Sequence, residues 1–166
     1  STSINHQFIT HIANRINGHD IKIITLMEYD IPMFSVDKQN TNGFPLDIQV
    51  IKNLISEHDA LMISVNEHNG MVSAFFKNIL DWLSRLDRNF LADKKILLVS
   101  TSPGARGAAS SLEYTKGILS RFGGQVIESF SFPSFNDNFD NDKIQNEVLD
   151  MGIEDVLTTF AHEIED

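Results

Sequence analysis

Short apolar runs alternate with longer stretches of helical periodicity, and this alternation restricts the fold more than any other feature of the sequence. The runs with strand character are residues 21–27, 60–65, 95–101 and 125–130. Apolar residues at helical spacing predict helices at 3–17, 48–55, 75–86, 109–122 and 143–164. Because the two kinds of segment alternate, the sequence predicts an α/β fold, in which helices cover both faces of a parallel sheet. No linker or repeat interrupts the pattern, so one domain over residues 1–166 is expected.

Charge and composition exclude several classes of protein. A formal net charge of -10 repels nucleic-acid phosphates, and no basic patch offsets it, so no nucleic-acid partner is expected. The absence of cysteine removes disulfides, thiolate metal sites and a cysteine nucleophile. No apolar run approaches the roughly 18 residues of a membrane span, and no secretory signal is visible. We therefore expect a cytoplasmic protein without a membrane partner.

Two unusual loops follow predicted strands. Residues 66–73 begin with Asn-Glu-His-Asn-Gly after strand 60–65, and residues 102–107 carry two glycines after strand 95–101. Parallel sheets bind ligands at the carboxyl ends of their strands, where both loops are expected. Glycines let a backbone approach a flat or anionic ligand, and the amides of 68–71 could turn toward a cofactor edge. An ordinary turn is the alternative explanation for each loop.

Other segments leave more than one reading open. Residues 1–5 offer hydroxyl and amide groups at a helix start, which suits a phosphate, but simple capping by Ser3 explains the same pattern. Residues 136–147 resemble the spacing of a calcium loop, but position six lacks glycine, so a polar loop that caps the last helix is favoured. The histidines are scattered, and no metal site is expected.

Several segments together resemble the NADPH-dependent FMN reductase family. Its central motif runs approximately Pro-Glu-Tyr-Asn-Gly-Ser, then a proline, then Leu-Lys-Asn-Ala-hydrophobic-Asp-Trp. The residues that match in register are Glu67, Asn69, Gly70, Lys77, Asn78, Asp81 and Trp82. Residues 100–108 are similar to the family's second flavin loop, 29–34 to its tyrosine-aspartate-proline segment, and Ser3 and Asn5 to the end of its phosphate loop. The likeness covers nearly the whole chain.

The resemblance implies a flavodoxin-like three-layer sandwich with a parallel sheet of strand order 2-1-3-4-5. It also implies an NAD(P)H-dependent FMN reductase, in which hydride passes from NADPH or NADH to bound FMN and on to a small acceptor. Free flavin, quinone, chromate and azo compounds are the acceptors of the family. No side chain need act as acid or base, so no catalytic residue is expected. The implied FMN-binding residues are Ser1, Ser3, Asn5, Asn66, Glu67, His68, Asn69, Gly70, Thr101, Ser102, Gly104 and Gly107.

The sequence departs from the family pattern in two ways. In the first loop, Asn66 stands in place of proline, His68 of tyrosine, Met71 of serine and Ser73 of the second proline. These changes bear on nicotinamide access and on the choice of acceptor. The family's first strand, which lies centrally in the sheet, has no counterpart here, so we expect a chain truncated upstream.

Family members pair through the helix that corresponds to Lys77–Arg85, so a homodimer or homotetramer is implied. Phe76 and Leu80 widen the apolar stripe of this helix, in agreement with a subunit contact. Two alternatives stay open from the sequence. The first is a flavodoxin-like electron carrier, which an acidic surface would suit. The second is a non-enzymatic flavin-binding or interaction domain on the same fold.

Overall fold

The computed structural model describes residues 3–165 as a layered α/β domain. Strands β1 (Ala60–Val65), β2 (Lys95–Thr101) and β3 (Gln125–Phe132) form a parallel sheet in the order β1-β2-β3. The helices are α1 (Ile4–Ala13), α2 (Val36–Asn42), α3 (Leu46–Glu57), α4 (Ala74–Leu86), α5 (Ala109–Leu119), α6 (Phe135–Asn138) and α7 (Glu147–Glu165). Two short 3-10 turns, Leu26–Glu28 and Ser120–Phe122, and a small antiparallel hairpin of β4 (Phe139–Asp140) and β5 (Lys143–Ile144) complete the chain.

The core lies in two layers because the central strand buries both of its faces. Successive side chains of a strand point to opposite sides of the sheet. Ile96 and Leu98 of β2 therefore join one apolar cluster with α3, α4 and α5, while Leu97 and Val99 join a second cluster with α1 and α7. All four side chains are fully buried. The predicted α/β sandwich is thus confirmed, and the full order 2-1-3-4-5 stays a prediction.

The predicted strand at residues 21–27 does not form, and that prediction was wrong. Residues 21–25 lie outside helix and strand, and Leu26–Glu28 form a 3-10 turn. Ile21 and Ile23 remain 38% and 39% exposed. A strand exists only where a neighbour accepts its hydrogen bonds, and no strand among residues 3–165 pairs with this segment. The β-branched residues of this segment favour a strand conformation, but the segment has no neighbouring strand to pair with.

The observed helices differ from the predicted ones in three ways, apart from boundary shifts of about three residues or fewer. Helix α1 ends at Ala13 rather than at residue 17. Helix α2 was missed because its sequence, VDKQNTN, carries no apolar period; the Ser35 hydroxyl caps it by accepting a hydrogen bond from the Lys38 amide. Helix α7 begins at Glu147 because residues 143 and 144 pair in the hairpin instead. The Asn146 side chain caps α7, which confirms the favoured reading of that loop.

The wide apolar stripe of α4 is covered within the same chain. Trp82 is 1% exposed, and the edges of the Phe34 and Phe44 rings pack against it. Its indole N–H donates a hydrogen bond to the Pro32 carbonyl at 2.8 Å. Leu80 is also buried. Because residues 32–44 cover this side of α4, the width of the stripe gives no evidence for a second subunit.

The described residues contain neither a membrane-spanning helix nor a cluster of metal-binding side chains. Between Ser3 and Glu165, no helix has the length and apolarity needed to cross a membrane. Over the same residues, no group of three or more acidic or histidine side chains could hold a metal ion. The calcium-like spacing at 136–147 is taken up by α6 and the hairpin, whose turn holds Asn141 and Asp142 at positive φ.

Candidate functional site

The two loops singled out in the sequence leave neighbouring strands at the same edge of the sheet. Strands β1 and β2 run parallel, and their last pairing joins Val65 to Ser100. Residues 66–73 and 102–108 therefore start side by side, as predicted for the carboxyl ends of parallel strands. The start of α1 reaches the same edge through Asn5. The structure thus brings together the three segments that were predicted to form one site.

The first loop turns tightly at its tip. His68 and Met71 exchange backbone hydrogen bonds of 2.8 and 3.1 Å, and Asn69 and Gly70 between them have φ of 54° and 78°. This is the geometry of a type I′ turn, which the Asn-Gly pair favours. Among residues 3–165, the amides of 69 and 70 have no acceptor, whereas those of 68 and 71 are paired. Only two of the four amides expected to face a cofactor are therefore available.

The second loop is anchored to β3 at its far end. The carbonyl of Gly107 accepts hydrogen bonds from the Ser100 hydroxyl at 2.7 Å and the Ser131 hydroxyl at 2.9 Å. Gly107 has φ of +55°, and a Cβ there would lie 2.6 Å from the backbone carbon and oxygen of Phe132. Only glycine satisfies both the conformation and the contact. The exposed tip, residues 103–106, is consequently held on a rigid base.

Asn5 joins the start of α1 to the ends of two strands. Its side-chain oxygen accepts hydrogen bonds from the Ser64 hydroxyl at 3.0 Å and the Thr101 amide at 3.2 Å. Its side-chain nitrogen donates to the Thr101 carbonyl at 3.2 Å. This side chain pairs with the Thr101 backbone much as another strand would. One of the two hydrogens on its side-chain nitrogen is therefore engaged, and the first backbone amides of α1 supply further donors for a phosphate at this helix start.

Ser3 caps α1 by accepting a hydrogen bond from the His6 amide at 3.4 Å, so the capping explanation of this segment is confirmed. A cap and a phosphate site can share one helix start, because the first amides remain without intrahelical acceptors. Ser1, the other serine predicted to bind the cofactor, lies outside the described residues.

Glu67 connects the first loop to the helix that follows the second. Its carboxylate accepts a hydrogen bond from the Ser111 amide at 3.0 Å, across 44 residues of sequence. Helix α5 needs such a partner because the residue at its N-cap position, Ala108, has no side-chain acceptor and has φ of 64°. The motif predicted that Glu67 belongs to the site, but only the structure shows this contact.

The remaining predicted residues occupy different environments. The Thr101 hydroxyl is buried and donates to the Phe132 carbonyl at 2.8 Å, at the end of β3 against which Gly107 also packs. Ser102 accepts a hydrogen bond from the Gly104 amide at 3.3 Å within the second loop. The side-chain nitrogen of Asn66 lies 3.2 Å from Nε2 of His68. Each of these three side chains is thus already engaged within the protein.

A groove of about 450 Å³ lies beside the first loop. Its lining residues come from that loop, from α4 and from α5: His68, Asn69, Met71, Val72, Ala74, Lys77 and Tyr114. It includes no residue of α1 or of the second loop, so it lies outside the space between the two loops. Tyr114 was not predicted from the sequence, since no motif marks it and only the packing of α5 brings it to the first loop.

Comparisons with known proteins identify the family of this chain. The family model described as NADPH-dependent FMN reductase matches residues 1–137. The chain belongs to that family. Its members are NADPH-dependent flavin oxidoreductases, so the predicted function and the FMN cofactor are confirmed.

Individual relatives of this FMN reductase family member point the same way. A quinone reductase of Escherichia coli (strain K12) is 33% identical over 132 residues, which are 78% of this chain and 69% of that protein. A solved flavoenzyme NAD(P)H:(acceptor) oxidoreductase from Paracoccus denitrificans is 22% identical, with a TM-score of 0.80 over 99% of this chain and 91% of that one. An FMN-dependent NADH-azoreductase from Bacillus anthracis str. Ames Ancestor, solved with FMN, has a TM-score of 0.59 at 15% identity over 99% and 92% of the two chains. These two structures support the fold.

Proposed function

We propose that this chain is an FMN-dependent NAD(P)H:quinone reductase whose cofactor lies against the loops at 66–71 and 101–107. FMN, when bound, accepts a hydride from the reduced dinucleotide and passes the electron pair to the acceptor. The observation that carries the proposal is the contact between Glu67 and Ser111, which ties the first loop to the helix that follows the second loop. This contact holds the loops in a defined relation before any ligand arrives.

The proposed cofactor contacts are mostly backbone groups. The free amides of Asn69 and Gly70 would donate to polar atoms of the flavin ring, and the first amides of α1 would donate to its phosphate. The remaining predicted positions, 66–68, 102, 104 and 107, supply the loop backbone around these groups. Around Gly70 there is open space, since a Cβ built there meets no atom within 4 Å. A flat ring can therefore approach this backbone closely.

The role of the protein in this reaction is to orient the reactants and to exclude water. Rigid loops reduce the entropy lost when donor and acceptor bind in turn at one ring face. No side chain of the two loops is required as an acid or base, and we assign no catalytic residue. Quinone is the preferred acceptor because the Escherichia coli relative at 33% identity is a quinone reductase. Chromate, azo compounds and free flavin are the competing acceptors to be compared.

We also propose that the enzyme forms a homodimer, or a homotetramer built from it, through α4 and α5. The groove between these helices is lined partly by Met71, Val72 and Tyr114, and Met71 is 48% exposed. A second copy would cover these side chains next to the cofactor site. Light scattering of the wild type and of Tyr114→Glu tests this proposal. A dimeric wild type and a monomeric variant would support it, and a monomeric wild type would contradict it.

We propose a cytoplasmic location, where reduced dinucleotides are available, and cell fractionation tests it.

The experiment that tests the function is the visible absorption spectrum of the purified protein with and without added FMN. Bound flavin that bleaches with NADPH and recovers with a benzoquinone is the expected result. Flavin that binds but is not reduced by NADPH would favour an electron carrier, which the net charge of -10 suits. A protein that does not bind FMN would contradict the proposal and favour an interaction domain.

A further inference from the structure

Arg106 presents an unpaired cation at the tip of the second loop. The residue is exposed, and in the described part of the chain its guanidinium makes no hydrogen bond and has no carboxylate within 4 Å. Its backbone, in contrast, is well held. The Arg106 carbonyl accepts a hydrogen bond from the Ala109 amide at 3.0 Å, and it shares the single proton of the Ser131 hydroxyl, 2.8 Å away, with the Gly107 carbonyl. Gly107 follows, in the tight contact with Phe132 described above. The charge therefore projects from a rigid support.

Two other cations of the protein are neutralised by acids. Lys77, on the groove side of the first loop, lies 2.5 Å from the Asp81 carboxylate. Arg15 is bound by both Asp150 and Glu154 near the other end of α1. Within residues 3–165, Arg106 is thus the cation of the two cofactor loops that has no acidic partner. It carries this charge in a chain whose net charge is -10.

The electron donor of the proposed reaction is itself strongly anionic. NADPH and NADH carry phosphate groups, and an acidic protein repels them unless a local positive charge attracts them. Arginine suits this task because its planar guanidinium donates two parallel hydrogen bonds to a phosphate. We propose that Arg106 binds a phosphate group of the reduced dinucleotide and sets the affinity of the enzyme for its donor. This inference rests on the proposed reductase function.

The test compares Arg106→Ala and Arg106→Lys with Arg121→Ala in the FMN-loaded protein. Arg121 is a matched control because it is also exposed and lies just before β3, at the amino ends of the strands and so opposite to the two loops. For Arg106→Ala we expect the KM for NADPH to rise about tenfold or more, the size of a lost charge-assisted hydrogen bond. The kcat with a neutral benzoquinone and the FMN affinity should change less than twofold. Arg106→Lys should restore part of the affinity for the dinucleotide, because lysine keeps the positive charge but lacks the planar guanidinium group with its paired donors.

A binding measurement separates donor recognition from turnover. Calorimetric titration with 2′,5′-ADP should show tighter binding to wild type and Arg121→Ala than to Arg106→Ala, and the difference should shrink at high salt. A KM effect larger for NADPH than for NADH supports contact with the 2′-phosphate, and equal effects support contact with the pyrophosphate.

Two results would overturn the inference while the reductase function stands. One is a flavin that still bleaches with NADPH while Arg106→Ala keeps wild-type KM and 2′,5′-ADP affinity. The other is an equal loss in Arg106→Ala and Arg121→Ala, which would indicate a long-range charge effect rather than a contact. A wild-type protein that binds no FMN would overturn both proposals together.

Discussion

The carboxylate of Glu67 accepts a hydrogen bond from the backbone amide of Ser111 at 3.0 Å, and this contact joins the first loop of the candidate site to the helix that follows the second loop. Glu67 is half-buried at the end of β1, and Ser111 is fully buried in the first turn of α5. A side chain of the first loop therefore caps α5, the helix that follows the second loop. Cofactor affinity and the stability of α5 should for this reason depend on the same residue.

Replacement of Glu67 by alanine should lower both stability and FMN affinity. Loss of a helix cap costs about 1 kcal/mol of unfolding free energy, and a first loop released from α5 should bind FMN about tenfold more weakly. Glu67→Gln should restore most of both quantities because its amide oxygen still accepts the bond. Urea unfolding and FMN titration measure the two effects. Glu113→Ala, an exposed change on the same helix, is the control, and an FMN affinity that is equal in all variants would refute the prediction.

Replacement of Gly70 by alanine should weaken FMN binding by more than the strain in its backbone conformation explains. Gly70 and Gly18 have φ of +78° and +85°, and neither has an atom within 4 Å of a built Cβ. Alanine at either position should therefore cost a similar amount of stability, about 1 kcal/mol. Only Gly70→Ala places a methyl group at the tip of the first loop, so it alone should weaken FMN binding. FMN titration of both variants decides the matter, and equal affinities would show that the tip does not contact the cofactor.

Gly107→Ala should be among the most damaging changes in the second loop. Its Cβ would clash with the Phe132 backbone at 2.6 Å in a positive-φ conformation, and we expect a loss of about 3 kcal/mol or more of unfolding free energy. Gly104→Ala is the matched control, since its Cβ would meet only the Ser102 hydroxyl oxygen at 3.7 Å. Urea denaturation curves of the two variants compare these costs. Similar midpoints for both would contradict the rigid anchoring of this loop.

Stability should depend on pH through His11. Burial lowers the pKa of His11, and the positive charge of Arg15 acts in the same direction, while Asp142 and Asp150 oppose it. Its Nε2 atom is buried and has no hydrogen-bond partner among the described residues. The unfolded chain therefore binds a proton more readily than the folded one, so this contribution to stability is present above the unfolded pKa of about 6.5 and is lost as pH falls below it.

The variant His11→Gln removes this titration. Thermal unfolding of wild type and variant between about pH 5 and 8 should show a steeper loss at low pH for the wild type. The other five histidines are common to both proteins and cancel in the difference. Parallel pH profiles would exclude a role for His11.

Local patterns predicted much of the fold and of the site. The apolar runs at 60–65, 95–101 and 125–130 all form strands, because runs of this kind are stable only when buried in a sheet. Asn69 and Gly70 adopt the left-handed conformations that their side chains permit. The family motif correctly identified the flavin reductase family. In each case the information is carried by residues that are neighbours in sequence.

The sequence by itself therefore determined the three strands of the parallel sheet, most of the helical faces and the turn conformation of the first loop. Only the tertiary structure decided that residues 21–25 find no strand partner, and that residues 32–44 cover Trp82. It also decided that Asn5 bridges two strand ends, and that Glu67 caps α5. Propensity and periodicity act over a few residues, whereas these contacts join residues far apart in the chain. Their partners are chosen by how the layers pack, and no local pattern encodes that choice.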